Sequence, residues 1–165
     1  MLIKQILLTT LLALTFSLAN AATLSGLVVA VADGDTITVL DNTNTQHKVR
    51  LAGIDAPEKK QAFGNVSKKS LSGLVYGKQV YVEYDKQDRY GRTVGKVLVN
   101  GVDANLEQIK HGLAWFYRKY QNEMVLDDRL DYLHAEEVAH AAKVGLWLDA
   151  EPVAPWDFRR AEKTE

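Results

Sequence analysis

Two stretches, Val31-Ala-Asp-Gly-Asp-Thr36 and Val49-Arg-Leu-Ala-Gly-Ile-Asp-Ala-Pro-Glu58, decide how this chain folds. Each stretch ends an apolar, strand-like run with carboxylates. Successive side chains of a strand point to opposite faces, so Val49 and Leu51 share one face and Arg50 takes the other. The pattern predicts a barrel filled by the valine and the leucine, with Arg50 directed outwards, where it can meet a ligand.

Strand signals dominate the first half of the chain, and helical patterns dominate the second half. Asp33-Gly-Asp35 predicts a tight hairpin turn between the first two strands. The five predicted strands cover about residues 24–32, 36–39, 48–51, 80–84 and 93–99. A helix at about 64–74 lies between the third and fourth strands, which is the order of elements in an OB barrel. We therefore predict an α+β fold, a five-stranded OB-fold β-barrel with about three helices.

Helix boundaries and faces follow from capping residues and apolar spacing. Asp103 is the predicted N-cap of the second helix, and Gly112 lies where its C-cap is expected. The predicted inner side chains of the first and last helices are Val66, Leu71 and Leu74, and Leu126, Leu130 and Leu133.

The N-terminus has the layout of a secretory signal peptide. Lys4 precedes an apolar run at 6–18, and Ala19-Asn-Ala21 forms an A-x-A cleavage pattern. The run is shorter than the roughly 20 apolar residues that a membrane-spanning helix needs. We therefore expect cleavage after Ala21, a mature form without a membrane span, and export to the periplasm or the medium.

Composition limits the mature protein to one domain and one core. The chain has 165 residues, no cysteine and a formal net charge of −1, so its stability does not come from disulfides. Because nucleic-acid-binding proteins are usually basic, attraction to phosphates would need a local basic patch. We predict a domain at 22–150, an extended C-terminal tail at 151–165, and a monomer.

The carboxylates and arginines of these turns form a coherent chemical set. In a meander the hairpin glycine can bring Asp35 beside Asp55, and two carboxylates with carbonyl and water oxygens suit a hard cation such as Ca²⁺. Pro57 restricts the backbone before Glu58. Arg92, in Asp88-Arg-Tyr-Gly-Arg92, matters if it reaches the Arg50 side of the barrel, because a guanidinium binds phosphate oxygens in two places. Together these residues indicate phosphodiester cleavage, although each piece alone also suits an ordinary turn.

From about Leu24 to Trp147 the chain resembles the staphylococcal-nuclease-like (thermonuclease) family. The matching pieces, in order, are Asp33-Gly-Asp-Thr36, Val49-Arg-Leu51, Ile54-Asp-Ala-Pro-Glu58, Asp88-Arg-Tyr-Gly-Arg92, Asn105 and Gly112-Leu-Ala114, followed by Gly145-Leu-Trp147 and Pro155-Trp156. Several motifs in the right order make this match specific.

The resemblance implies a Ca²⁺-dependent endonuclease or phosphodiesterase that acts on DNA and RNA and leaves 3′-phosphate ends. It implies the following roles for positions of this sequence: Asp35, Asp55 and the carbonyl of Ala56 as metal ligands, Glu58 as general base, Arg50 and Arg92 as phosphate ligands, and Tyr90 and Tyr120 along the nucleotide.

Two features depart from the family pattern. Ala56 stands where the best-known member has a threonine, which a backbone ligand tolerates and a side-chain contact does not. The loop after Glu58 is shorter and poorer in lysine, with Lys59, Lys60, Lys68 and Lys69 as its nearest basic residues. The catalytic set is complete, and these departures bear on substrate affinity and preference.

Two other functions compete with the nuclease. One is a non-catalytic OB module that binds single strands or a protein partner, which has no evident need for Glu58 between two arginines. The other is an oligosaccharide-binding barrel, which favours exposed aromatic residues over paired arginines. Its candidate residues are Tyr76, Tyr81, Tyr117 and Tyr120.

Overall fold

A computed structural model describes residues 22–164 of the protein. The predicted signal peptide, residues 1–21, lies outside the described residues. Within them, no helix is long and apolar enough to cross a membrane.

The barrel predicted from the alternating pattern is confirmed. Its five strands are β1 (Ala22–Val31), β2 (Thr36–Leu40), β3 (Gln46–Leu51), β5 (Gln79–Gln87) and β6 (Thr93–Val99). Three two-residue strands add to them: β4 (Ile54–Asp55), β7 (Val102–Asp103) and β8 (Trp115–Phe116). The strands follow the order β3-β2-β1-β5-β6-β7, and parallel pairing of β3 with β6 closes the barrel.

The barrel interior consists largely of β-branched side chains, which suit a pleated surface that is buried on one face. Val49 is 0% exposed and Leu51 is 1% exposed, as the alternation of β3 predicts. Arg50 lies between them on the opposite face, opposite Thr36 of β2 and Val94 of β6. The β3 backbone therefore has a strand on each side, which fixes the direction in which Arg50 leaves the barrel.

In the described part of the chain, four α-helices and two short 3-10 helices surround the barrel. The α-helices are α1 (Gly64–Val75), α2 (Ala104–Lys110), α3 (Leu126–Ala141) and α4 (Pro155–Ala161), and the 3-10 helices are Arg118–Glu123 and Gly145–Leu148. Asp103 is the N-cap of α2, as predicted, and its side chain accepts hydrogen bonds from the backbone N–H groups of Asn105 and Leu106 at 2.9 and 3.0 Å.

The predicted inner face of α3 is wrong for Leu126 and Leu130, whereas Leu133 is partly buried against the core as predicted. Leu126 and Leu130 are more than half exposed, and the buried side chains are Tyr132, Ala135, Glu136 and Ala139. Glu136 accepts a hydrogen bond from the Phe116 N–H at 2.9 Å. Because this buried contact to β8 fixes the rotation of the helix, leucine spacing does not decide which face is inside. In α1, similarly, Ser67 is buried and Val66 is exposed.

The prediction of an extended tail is wrong for the segment at 155–161, which is helix α4. Pro155 at the start of the helix suits the first turn, where a missing N–H costs nothing. Asp157 lies in the first turn, and Arg159 and Arg160 lie in the last. All three charges therefore interact favourably with the helix dipole. The sequence showed these signals, but the two prolines of this segment, Pro152 and Pro155, favoured the prediction of an extended tail.

Candidate active site

Hydrogen bonds from buried polar groups hold the turn at 33–35 in place. Asp35 is 2% exposed, and its Oδ2 accepts a hydrogen bond from the Ala56 N–H at 2.7 Å. The Gln108 amide donates to the Gly34 carbonyl at 2.9 Å and to the Ser67 carbonyl at 3.1 Å. A side chain at position 34 would collide with the Ser67 hydroxyl, so glycine lets the turn approach α1 closely.

Arg50 joins the two predicted metal carboxylates. Its Nη1 forms an ion pair with Asp35, and its Nη2 contacts Asp55 Oδ1 at 2.7 Å. Asp55 is fully buried, and the Arg50 side chain is 17% exposed. A buried carboxylate needs such a partner, because an unpaired charge in the interior is costly. We call Asp35, Arg50 and Asp55 the barrel wall of the site.

Glu58 lies directly beyond the barrel wall, at the N-terminal side of α1. Its backbone N–H donates to Gln61 Oε1 at 3.1 Å, and its carbonyl accepts from the Gln61 N–H at 2.8 Å. A side chain on Gly64 would collide with that carbonyl, so Gly64 lets α1 begin against the Glu58 turn. The Glu58 side chain is about one-third exposed, so its carboxylate is open to solvent. It also contacts Arg159, which pairs with Asp55 as well.

The turn at 88–92, here called the loop wall, carries Arg92 and Tyr90. Asp88 organises this turn: its carboxylate accepts hydrogen bonds from the backbone N–H groups of Tyr90 and Arg92 at 2.9 and 3.0 Å, and from Arg92 Nε at 2.7 Å. Partial burial opposes ionisation of Asp88, but these hydrogen bonds outweigh it and lower the pKa of the carboxyl. The loop wall thus holds its arginine through contacts within five residues.

Both walls line one cleft with a volume of about 840 Å³. Asp35, Arg50, Ala56, Glu58, Tyr90, Arg92 and Tyr120 all face it, so the structure brings the predicted site residues together, with Asp55 buried beneath them. Tyr90 is 69% exposed and Tyr120 is 40% exposed, which leaves their rings open to a ligand. Asn105 has a different place: it is fully buried and holds the backbone carbonyls of Ala52 and Gly95, so it supports the barrel.

The local basic patch that the overall charge required is present. Among residues 22–164, eight cationic side chains line the cleft against six carboxylates, although the chain as a whole is slightly acidic. The cations are Arg50, Lys86, Arg89, Arg92, Lys119, Arg159, Arg160 and Lys163. The lysines after Glu58 are not among them. Basic character therefore comes from Arg50 on β3, from the segment 86–92, from Lys119 and from the C-terminal segment 159–163.

Sequence reasoning missed Arg159. This residue of α4 contacts Glu58 Oε1 and Asp55 Oδ2, each at 2.7 Å. Burial opposes its charge, but the hydrogen bonds to Asp55 and Glu58 outweigh it and raise the pKa of the guanidinium above its ordinary value. No local spacing connects residue 159 with residues 55 and 58, and the nearest signal was the Pro155-Trp156 pair that begins α4.

The family model described as staphylococcal nuclease homologue matches residues 48–149. An uncharacterized endonuclease of Haemophilus influenzae is 45% identical over 163 residues, which cover 97% of this chain and 88% of that protein. A micrococcal nuclease of Shigella flexneri is 40% identical over 147 residues, covering 84% of this chain and 82% of that protein.

A protein with this barrel, these paired arginines and these carboxylates belongs to the class of phosphodiester-cleaving OB-fold proteins. The chain is a member of the staphylococcal nuclease homologue family. Its relatives support nuclease activity and nucleic acids as substrates.

Proposed function

We propose that this protein is an exported, Ca²⁺-dependent nuclease that hydrolyses phosphodiester bonds of DNA and RNA. The observation that carries the proposal is the convergence of Arg50, Glu58 and Arg92 on one cleft above two buried aspartates. A pure binding module has no evident need for the Glu58 carboxylate in the cleft that Arg50 and Arg92 line, because a negative charge there repels the phosphate that they attract. A role for Glu58 as general base would account for it.

The donor set fits a hard cation. Asp35 and Asp55 would hold it together with the Ala56 carbonyl, and all three supply oxygen, which favours Ca²⁺ over Zn²⁺. Within residues 22–164 no cluster of three or more His, Cys, Asp and Glu side chains has a metal-binding arrangement, so backbone and water oxygens must complete the shell. When bound, the cation would supply positive charge to the phosphate that undergoes attack.

The protein's own groups divide the remaining work. Glu58 accepts a proton from the attacking water, which its partly exposed carboxylate can reach. Arg50 and Arg92 bind the phosphate from the barrel wall and the loop wall and stabilise the charge that develops on its oxygens. Tyr90 and Tyr120 offer ring faces to nucleotide bases, a contact that tolerates any sequence. Water attack with departure of the 5′-oxygen leaves the 3′-phosphate products that we expect.

The first experiment is digestion of single-stranded DNA, duplex DNA and RNA, each with Ca²⁺, Mg²⁺ or EDTA. We expect Ca²⁺-dependent cleavage by the wild-type protein and loss of most turnover in Glu58→Gln, since the amide cannot accept the proton. Glu137→Gln, an exposed change on α3 outside the cleft, is the matched control and should cleave normally.

Two results would contradict the proposal. Wild-type rates in Glu58→Gln would remove the general base from this residue. Nucleic acid that shifts on a gel without cleavage would make the chain a binding module. Mass determination of the protein recovered from periplasm and medium tests export, for which we expect a form that begins at Ala22.

A further inference from the structure

Arg159 occupies the side of the carboxylate cluster that faces the cleft. Its Nη2 donates to Asp55 Oδ2 at 2.7 Å, and its Nη1 donates to Glu58 Oε1 at 2.7 Å and to Asp55 Oδ1 at 3.3 Å. It thus binds a predicted metal ligand and the proposed general base at the same time. Both are groups that the reaction requires free.

An aromatic stack brings Arg159 to this position. The Trp156 ring lies parallel to that of Tyr117, with centroids 5.3 Å apart, and meets Trp115 edge-on at 5.6 Å. Pro155 is buried, and the Gln61 side chain, in the turn after Glu58, donates to the Val153 carbonyl. Helix α4 is therefore seated by contacts of its own, and Arg159 reaches the carboxylates from a defined base.

Charge argues that Arg159 and a dication exclude each other. Asp35, Asp55 and Glu58 carry three negative charges, and Arg50 and Arg159 carry two positive ones. A dication added beside both guanidiniums would put four positive charges against three negative ones. Replacement of Arg159 by the dication leaves the charges balanced. Beside the buried Asp35 and Asp55, like charges repel more strongly than in open solvent because less water screens them.

Arg160 shows that the helix does not simply carry arginines into the cleft. It is 78% exposed, and its ion-pair partner within residues 22–164 is Asp157, at 3.4 Å, one turn away on the same helix. Arg159 is 37% exposed and makes both of its ion pairs with the site. The two arginines are adjacent on the same helix and carry the same charge, but they differ in their contacts.

We propose that Arg159 is an internal competitor of the cation: it neutralises Asp55 and Glu58 until the cation binds, and cation binding displaces it and shifts helix α4. This inference rests on the proposed function, because it takes Asp55 as a cation ligand. The device keeps the general base paired when Ca²⁺ is scarce and frees it when Ca²⁺ is abundant.

Calorimetric titration of the full mature chain with CaCl₂, without substrate, tests the proposal. Arg159→Gln should bind Ca²⁺ about three- to tenfold more tightly than wild type, the range expected when partly exposed ion pairs no longer compete. Arg160→Gln removes the same charge from the same helix and should bind as wild type does. Arg159→Lys keeps the charge but lacks the two-pronged guanidinium, so its affinity for Ca²⁺ should lie between those of wild type and Arg159→Gln. An intermediate affinity would show that the gain in Arg159→Gln does not come from a folding defect.

Tryptophan fluorescence supplies the second measurement. Displacement of Arg159 should change the environment of Trp156, so Ca²⁺ should alter emission in wild type and much less in Trp156→Phe. In Arg159→Gln the change should be smaller, since no contact remains to be broken.

The outcomes separate this inference from the proposed function. If wild type binds Ca²⁺ and Arg159→Gln binds it equally or more weakly, competition is disproved and the metal site stands. If Arg159→Gln and Arg160→Gln gain equally, the effect is one of net charge, and the inference fails. If no variant binds Ca²⁺, the proposed metal site fails and takes the inference with it.

Discussion

Arg50 on the barrel wall and Arg92 on the loop wall present the same group to the cleft, but the contacts that hold them differ in reach. Arg50 joins Asp35 of the 33–35 turn to Asp55 of strand β4, and β3 holds it between two strands. Arg92 depends on Asp88, four residues away in the same turn. The barrel wall is thus part of the folding core, whereas the loop wall is an addition that organises itself.

This difference predicts that equal truncations have unequal effects on stability. The largest effect is expected for Arg50→Ala, which leaves two buried carboxylates without a shared partner. Removal of one member of a buried ion pair costs about 3–5 kcal/mol, and the lower end applies here because other donors to Asp35 and Asp55 remain. Urea unfolding measures this change, and the cleavage rate should fall by about 10³-fold or more.

Arg50→Lys is the control for that variant. It keeps the charge and should recover much of the stability, but it lacks the fork that binds both carboxylates. An unfolding free energy of Arg50→Ala equal to that of wild type would show that the barrel wall is no better integrated than the loop wall.

Arg92→Ala should separate activity from stability. Its ion pair with Asp88 is partly exposed, and such pairs contribute less than about 1 kcal/mol. The cleavage rate should nevertheless fall by about 10³-fold or more, as for phosphate-binding arginines in other phosphoryl-transfer enzymes. The same unfolding and cleavage assays measure both quantities.

Arg89→Ala is the matched control, since this neighbouring arginine stacks on the Tyr90 ring and has no partner on the barrel wall. Its rate should stay within a few-fold of wild type. A loss of stability in Arg92→Ala as large as that in Arg50→Ala would erase the distinction between the walls.

The smallest expected effect is the pH dependence of the loop wall. The pKa of Asp88 is lowered from its ordinary value of 3.8, so the folded state binds its proton less readily than the unfolded chain does. Its stabilising contribution is therefore present above pH 3.8 and is lost as the pH falls through the lowered pKa. Carboxyl NMR should give a midpoint below 3.8 for Asp88, and the midpoint should rise in Arg92→Ala. An unshifted midpoint would mean that Asp88 does not organise the turn.

The barrel was readable from the sequence because alternation in a strand is local. Val49 and Leu51 on one face of β3 and Arg50 on the other follow from geometry within three residues, and the structure agrees. The face of α3 was not readable. Leucine spacing pointed to Leu126 and Leu130, whereas a buried contact from Glu136 to β8 sets the helix rotation.

Local patterns in the sequence predicted the five-stranded barrel, the hairpin at 33–35 and the N-cap of α2, whereas the grouping of Arg50, Glu58 and Arg92 came from the family resemblance. The contacts of Arg50 with both buried aspartates, and those of Arg159 with Asp55 and Glu58, are visible in the folded protein alone. The cause is the range of the interactions. Periodicity and capping depend on neighbours within a few residues, whereas pairing of buried charges depends on which distant segments the fold brings into contact.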